Sequence, residues 1–440
     1  MSTRINSVHT TELTYAIRKP AWLDRLAKRL VQARLEKLRE GQVVIFQNDR
    51  RATFGQLTED FPRAIELRVH DSAFYRDIAF GGSIGAGEAY MQGYWACDEL
   101  EDLLRILVRN RDVLEKMDSG LGRLSAPMQK LSHALNRNTR SGSRKNIAAH
   151  YDLGNDFYQL WLDPKMMYSS AYFDSPATSL EDAAVAKLDR ICRKLDLSAN
   201  DSVVEIGTGW GGFAIHAARH YGCHVTTTTI SRQQYEYAKQ AIHDAGLDDR
   251  ITLLLKDYRD LDGSFDKLVS IEMIEAVGHE YHDTYFSKCC ELLKPDGMML
   301  LQAITIADQR YDKYKTGVDF IKRYIFPGGC LTSVTDMTRT MTTQTDMRAI
   351  HLEDIGPHYA TTLNHWHKRF LNRIDEVRAL GYSESFIRMW RFYLAYCESA
   401  FSERATGVVQ MLMMRPGTRC DYVSYQDESG RVALAAARSL

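Results

Sequence analysis

Three glycines at alternate positions, Gly207, Gly209 and Gly211, follow an apolar run with an acid near its tip, Val203-Val204-Glu205-Ile206. Phe213 to Ala218 behind them has helical spacing, so the stretch reads as strand, tight turn and helix. Glycines there admit a ligand against the backbone without a Cβ in the way, and the helix start offers unpaired N–H groups. A carboxylate at Glu205 repels a dinucleotide's pyrophosphate and suits the amino and sulfonium side of S-adenosylmethionine. The competing reading is an ordinary glycine turn; the acid and the strand–helix rhythm that follows favour the ligand.

Other strand tips supply the remaining candidates. Thr226 to Ser231 carries no acid for the ribose hydroxyls. Ile230 lies at that tip, and Gln234, one turn into the next helix, is the expected substitute. Asp257 is expected to accept from the adenine amine and Tyr258 to stack on its ring. Ile271, at the end of the fourth strand, and Tyr168 and Ser169, in the polar and aromatic loop Met167 to Phe173, complete the expected cofactor set.

The elements that must hold these residues alternate along the chain. A helix over Glu181 to Leu195 precedes the glycine strand, and strand–helix alternation continues to a strand at Met298 to Ile304. The sheet is therefore mostly parallel, with ligands at the carboxyl ends of its strands. An insertion from Asp308 to Thr332, rich in aromatics, and helices at His365 to Leu380 and Ser383 to Phe401 are expected to form a lid before a late strand, Val408 to Met414. A basic amphipathic helix is expected over Ala21 to Glu40, with strands at Gln42 to Gln47, Ala64 to His70 and Ser72 to Phe80, a glycine run from Gly81, and a helix from Glu99 to Arg109. The expected organisation is a small α+β domain over 1–117, a basic linker over 118–145, the α/β domain over 146–416 and a polar tail over 417–440.

With 440 residues and a formal net charge of −1, the chain has no electrostatic pull toward nucleic acid. Its eight cysteines form no C-x-x-C pair, so neither a zinc site nor a disulfide framework is expected. No apolar run reaches the roughly 18 residues of a membrane span. The basic helix and linker suit an anionic membrane surface, and a cytoplasmic, peripherally membrane-associated protein is the expectation. A homodimer is compatible with it.

Six ordered stretches resemble the cyclopropane-fatty-acyl-phospholipid synthase and mycolic acid cyclopropane synthase family: Asn146 to Tyr158, Met167 to Phe173, Val204 to Gly212, Ser270 to Gly278, Tyr324 to Gly329 and His358 to Leu363. The resemblance implies a Rossmann-like class I fold and methyl transfer from S-adenosylmethionine to a cis double bond in the acyl chains of unsaturated phospholipids. An alkene is a poor nucleophile, so the site must align it with the methyl and keep water from the carbocation that follows. Aromatic faces stabilise a cation, which makes Tyr168, Tyr172, Tyr324 and Phe326 candidate walls.

The resemblance further implies a bicarbonate as base, held by Glu275, Tyr359 and the backbone of Ile304. Two positions depart from the family: Ser170 stands where it has Cys, and Gln302 where it has His. Hydroxyl and amide still hydrogen-bond an anion, but Gln302 cannot take up a proton. Ring closure is thus expected to be weakened more than methyl transfer, with methyl-branched or methylene products as the alternative and Ser170→Cys with Gln302→His as its remedy. Two other readings compete. A methyltransferase for a small polar acceptor leaves the apolar insertion unexplained, and a non-catalytic lipid-binding homologue draws its support from Ser170 and Gln302.

Overall fold

The computed structural model describes residues 22–112 and 153–419, and the backbone of two further strands, 421–426 and 432–437. The expected basic linker and the first residues of the Asn146 stretch lie outside the described residues. The chain divides into two compact units, the first holding the described residues up to Ile106 and again from Asn110, the second holding Leu107–Arg109 and everything described from 153 onward.

In the first unit, helix Trp22–Leu35 accompanies four strands, β1 (Gly41–Gln47), β2 (Arg50–Gln56), β3 (Ala64–Val69) and β4 (Trp95–Cys97), in the order β2-β1-β3-β4. The strand expected at Ser72 to Phe80 is instead the start of helix Ala73–Met91. Its glycines explain the error: a Cβ on Gly85 would lie 1.9 Å from the Asp77 carbonyl oxygen, and Gly82, at φ 56° and ψ −135°, kinks the helix there. Glycine here serves close backbone approach within a helix rather than a turn.

The second unit is a seven-stranded sheet of β5 (Ser202–Ile206), β6 (His224–Thr229), β7 (Ile251–Leu255), β8 (Phe265–Ile271), β9 (Leu293–Ile306), β10 (Arg348–Asp354) and β11 (Thr406–Met414), ordered β10-β11-β9-β8-β5-β6-β7. The run from β7 to β9 is parallel, and β11 lies antiparallel between β9 and β10. Successive residues feed opposite faces. Val203, Met298 and Leu300 pack with helices Leu180–Lys194 and Gly212–Tyr221, while Val204, Met299 and Leu301 pack with helices His282–Leu292 and Val334–Gln344. Both faces are covered, which is why these strands read as continuous apolar runs.

Helices Gly356–Asn372, Ile374–Ala379 and Glu384–Ser402 connect β10 to β11, and a turn of π-helix, Ile321–Ile325, sits in the expected insertion. Two features go beyond the elements expected from the sequence. Edge strand β10 was not foreseen because its residues Arg348 to Asp354 are mostly polar. The tail contains a hairpin, β12 (Asp421–Gln426) paired antiparallel with β13 (Val432–Ala437), in place of unpaired chain.

Edge strand β10 is fastened to helix Leu180–Lys194 by charge. Glu353 accepts from Arg190 Nη2 at 2.5 Å and from Lys194 Nζ at 2.6 Å. These hydrogen bonds outweigh burial and hold its carboxyl down to about 2, while burial lowers Lys194 to about 8 despite the pairing, so the pair's net contribution is smaller than the Glu353 shift alone implies. Replacing Glu353 with Gln leaves Lys194 buried without a counter-charge, and urea unfolding of the variant at pH 7 is expected to show a loss of about 3 kcal/mol. Since the folded carboxyl lies below its unfolded value, that difference should fade as pH falls from about 4.5 toward about 2.

Candidate active site

The loop after β5 has the conformation its glycines permit. Gly207, Gly209 and Gly211 take φ values of 103°, 54° and 93°, all in the left-handed region. A Cβ on Gly209 would meet no protein atom within 4 Å, whereas Gly207 and Gly211 back onto Met273 and Ala238. Helix Gly212–Tyr221 starts directly behind. Glu205 is buried at the β5 tip and accepts from Thr227 Oγ1 at 2.6 Å. Burial raises its carboxyl to about 8, against that hydrogen bond and the charge of Lys187. Gln234 is fixed by Thr229 Oγ1, which donates to its Oε1 at 2.9 Å and directs the amide Nε2 elsewhere. Ile230 follows β6 and Ile271 ends β8, both partly buried. Open glycine backbone, a carboxylate and a fixed amide at neighbouring strand ends fit S-adenosylmethionine, with Glu205 suited to its amino group and Gln234 to its ribose.

The adenine residues need correction. Both oxygens of Asp257 are engaged by Arg259, at 2.9 Å to Nε and 2.7 Å to Nη2, so an adenine amine has to share them. Tyr258 turns onto the core edge-on to Tyr285, with ring centroids 5.5 Å apart and its hydroxyl buried. The stacking expected of it is not the arrangement found, because apolar packing takes the ring.

Aromatic walls form around Tyr168, whose hydroxyl lies 2.9 Å from that of Tyr393. Its ring is 5.4 Å from Trp366 and 6.3 Å from Phe326, which follows the π-turn. Tyr172 stands apart: Arg190 covers its ring at 4.4 Å and His358 lies 4.2 Å away. Tyr324 packs on Phe320 at 5.2 Å. Of the four candidate walls, Tyr168 and Phe326 are the pair brought together.

The anion-site residues converge, but on a carboxylate of the protein itself. Glu272 Oε1 accepts from the Ser170 backbone N–H at 2.9 Å and from Gln302 Nε2 at 2.8 Å, and the side chain is also hydrogen-bonded to Tyr359. The Ser170 hydroxyl turns away to the Ala171 carbonyl at 3.0 Å. The Ile304 N–H is taken as well, donating to Glu275 Oε1 at 2.5 Å. The Gln302 amide, the Tyr359 hydroxyl and the Ile304 N–H are bonded to Glu272 or Glu275, and the Ser170 hydroxyl to the Ala171 carbonyl, so none of the four is left for a separate bicarbonate, which does not fit.

Behind Glu272 the amide of Gln302 has a forced orientation. Lys194 Nζ, which can only donate, gives 2.7 Å to Gln410 Oε1; Gln410 Nε2 then gives 3.0 Å to Gln302 Oε1, leaving Gln302 Nε2 for the carboxylate. Gln302 and Gln410 are both fully buried. Lys187 is equally buried and donates to Ser169 Oγ at 2.9 Å. Its ammonium, lowered to about 8 by burial, is sustained by the charges of Glu272, Asp163 and Glu205 and so joins the glycine-loop side to the carboxylate side. Glu272, Lys187 and Gln410 escaped sequence reasoning. A signal existed for Glu272, since an acid three residues before Glu275 accompanies both family departures.

The family model for mycolic acid cyclopropane synthetase matches residues 138–411. Tuberculostearic acid methyltransferase UfaA1 of Mycobacterium tuberculosis is 38% identical over 81% of this chain and 84% of its own. Cyclopropane-fatty-acyl-phospholipid synthase of Escherichia coli is 38% identical over 80% of this chain and 88% of its own. Among solved structures, the cyclopropane synthase MmaA2 from Mycobacterium tuberculosis superposes with a TM-score of 0.58 at 28% identity, covering 62% of this chain and 98% of that one. Mycolic acid cyclopropane synthase CmaA1, complexed with SAH and CTAB, gives 0.58 at 30% over the same shares. The chain belongs to the mycolic acid cyclopropane synthetase family and is an S-adenosylmethionine-dependent methyltransferase of the cyclopropane synthase type.

Proposed function

We propose that the chain methylates the cis double bond of unsaturated acyl chains in membrane phospholipids and closes the product to a cyclopropane. The observation that carries this reading is the meeting, at the ends of adjacent strands β5, β8 and β9, of an open glycine loop with a carboxylate pocket beside aromatic rings. S-adenosylmethionine, when bound, supplies an electrophilic methyl. Residues of this chain would do the rest: Glu205 and Gln234 hold the donor, Tyr168 and Phe326 face the developing positive charge, and buried carboxylates serve the proton that must leave. Because Gln302 cannot take up a proton, a methyl-branched or methylene product is the second reading. Lipids from expressing cells should gain one CH2 per unsaturated chain by mass spectrometry, and the high-field cyclopropane signals of a proton NMR spectrum decide between the readings.

Access to such chains requires a membrane surface. No described helix is long and apolar enough to cross a membrane. Helix Trp22–Leu35 instead buries Ala27 and Val31 and exposes Trp22, Leu26 and Leu30, at 68%, 46% and 42%, beside exposed Arg25 and Arg29. An apolar stripe flanked by cations suits an anionic headgroup layer.

Two measurements bear on these sites. Gly209→Val places a Cβ on backbone at φ 54°, which costs about 1–2 kcal/mol in strain and blocks the open face. Calorimetric affinity for S-adenosylhomocysteine should fall about 100-fold or more, with circular dichroism unchanged. For the helix, Arg25→Glu with Arg29→Glu should reduce co-sedimentation with anionic vesicles at low salt, and wild-type binding should weaken as added salt shortens the screening length. Equal pelleting of both proteins with anionic and neutral vesicles would exclude this face.

A further inference from the structure

Glu272 stands in a backbone conformation that only a reason keeps. Its φ is 49°, in the left-handed region that suits glycine and strains a longer side chain. The strain positions a carboxylate among the Ser170 N–H, the Gln302 amide and the Tyr359 hydroxyl. None of these three contacts needs Glu272 to donate, and each stabilises its charged form.

Glu275 has the opposite environment. One oxygen accepts from the Ile304 N–H, and the other, Oε2, is buried with no hydrogen-bond partner. Two neighbouring carboxyl groups in an enclosed site do not both ionise, and the better-solvated one keeps the charge. Burial raises both carboxyl groups, but the three donors oppose it at Glu272, so the geometry favours the charge on Glu272 and the proton on Glu275. Burial first, and the Glu272 charge second, push the Glu275 carboxyl up to about 8, in line with that division.

We propose that Glu272 is a catalytic residue, a built-in carboxylate that takes the place of a bound bicarbonate as the general base, so that this enzyme works without bicarbonate. The inference rests on the acyl-chain reading above. After methyl transfer the acyl chain is a carbocation. A C–H bond of that cation breaks, its electron pair closes the third bond of the ring, and the proton passes to a Glu272 oxygen, from which it leaves to water in the next cycle. No oxidant or further reactant is needed.

Ser170 and Gln302 take on a consistent role in this scheme. The backbone of Ser170 is used and its side chain is not, so a thiol there has no anion to meet. Gln302 is held by Gln410 with its Nε2 toward Glu272, an arrangement that needs a donor and an acceptor on one planar group. Exchanging them for Cys and His with Glu272 still present is expected to leave the cyclopropane share unchanged, in contrast to the remedy expected from the sequence.

The test measures methylated lipid from S-adenosylmethionine and unsaturated phospholipid vesicles in buffer stripped of carbon dioxide, with and without added bicarbonate. Native enzyme is expected to turn over equally in both. Glu272→Gly, which relieves the φ strain and vacates one carboxylate's space, should lose about 100-fold or more in kcat and regain part of it with bicarbonate or formate. Glu272→Gln, which fills that space with an amide, should lose as much and gain nothing from either anion. Calorimetric binding of S-adenosylhomocysteine, unchanged in both variants, shows that the cofactor side is intact. A native rate that rises several-fold with bicarbonate overturns the inference and leaves the acyl-chain reading standing, as does a Glu272→Gly enzyme of native rate without bicarbonate. Native enzyme that forms no methylated lipid under either condition overturns both.

Discussion

Carboxylates held away from water inside an apolar pocket are the constraint on which the rest of this structure depends. Each one costs several kcal/mol unless a partner or a proton compensates it. Their surroundings differ: Glu205 has a threonine hydroxyl and the field of Lys187, Glu272 a ring of three donors, and Glu275 a single N–H, with its other oxygen unpartnered. Lys187 serves two of them at once, which ties the cofactor side of the pocket to the side where the proton must be removed.

The sheet edge exists to keep that arrangement in register. The hydrogen-bonded series from Glu353 through Lys194, Gln410 and Gln302 to Glu272 crosses from β10 through β11 to β9, and it begins on a carboxylate and ends on another. The ammonium within it fixes the direction of both amides, so the donor that reaches Glu272 is determined at a distance. Around this polar thread the walls are aromatic. Under the proposed function, Tyr168, Trp366 and Phe326 would give the dryness and the electron-rich faces that a carbocation requires.

Much of this was legible in the chain. The glycine loop and the strand–helix alternation of a mostly parallel sheet followed from period and spacing. What was missed has physical causes. Helix Ala73–Met91 hides among glycines used for close packing, β10 is a polar edge strand with little apolar pattern, and Tyr258 was drawn to a core that spacing does not reveal. Lys187 and Gln410 look like surface residues until three-dimensional packing buries them. Glu272 is hidden for a different reason: Ser170 and Gln302 read as losses from the family's ligand set, whereas the gain that explains them lies in a third residue.

The most direct measurement is a crystal structure of the native chain with S-adenosylhomocysteine, grown in the presence of bicarbonate. The Glu272 carboxylate is expected in density between the Ser170 N–H, Gln302 Nε2 and the Tyr359 hydroxyl, with no trigonal anion beside it. A trigonal anion bonded to those three donors, with Glu272 swung out of the pocket, would contradict it.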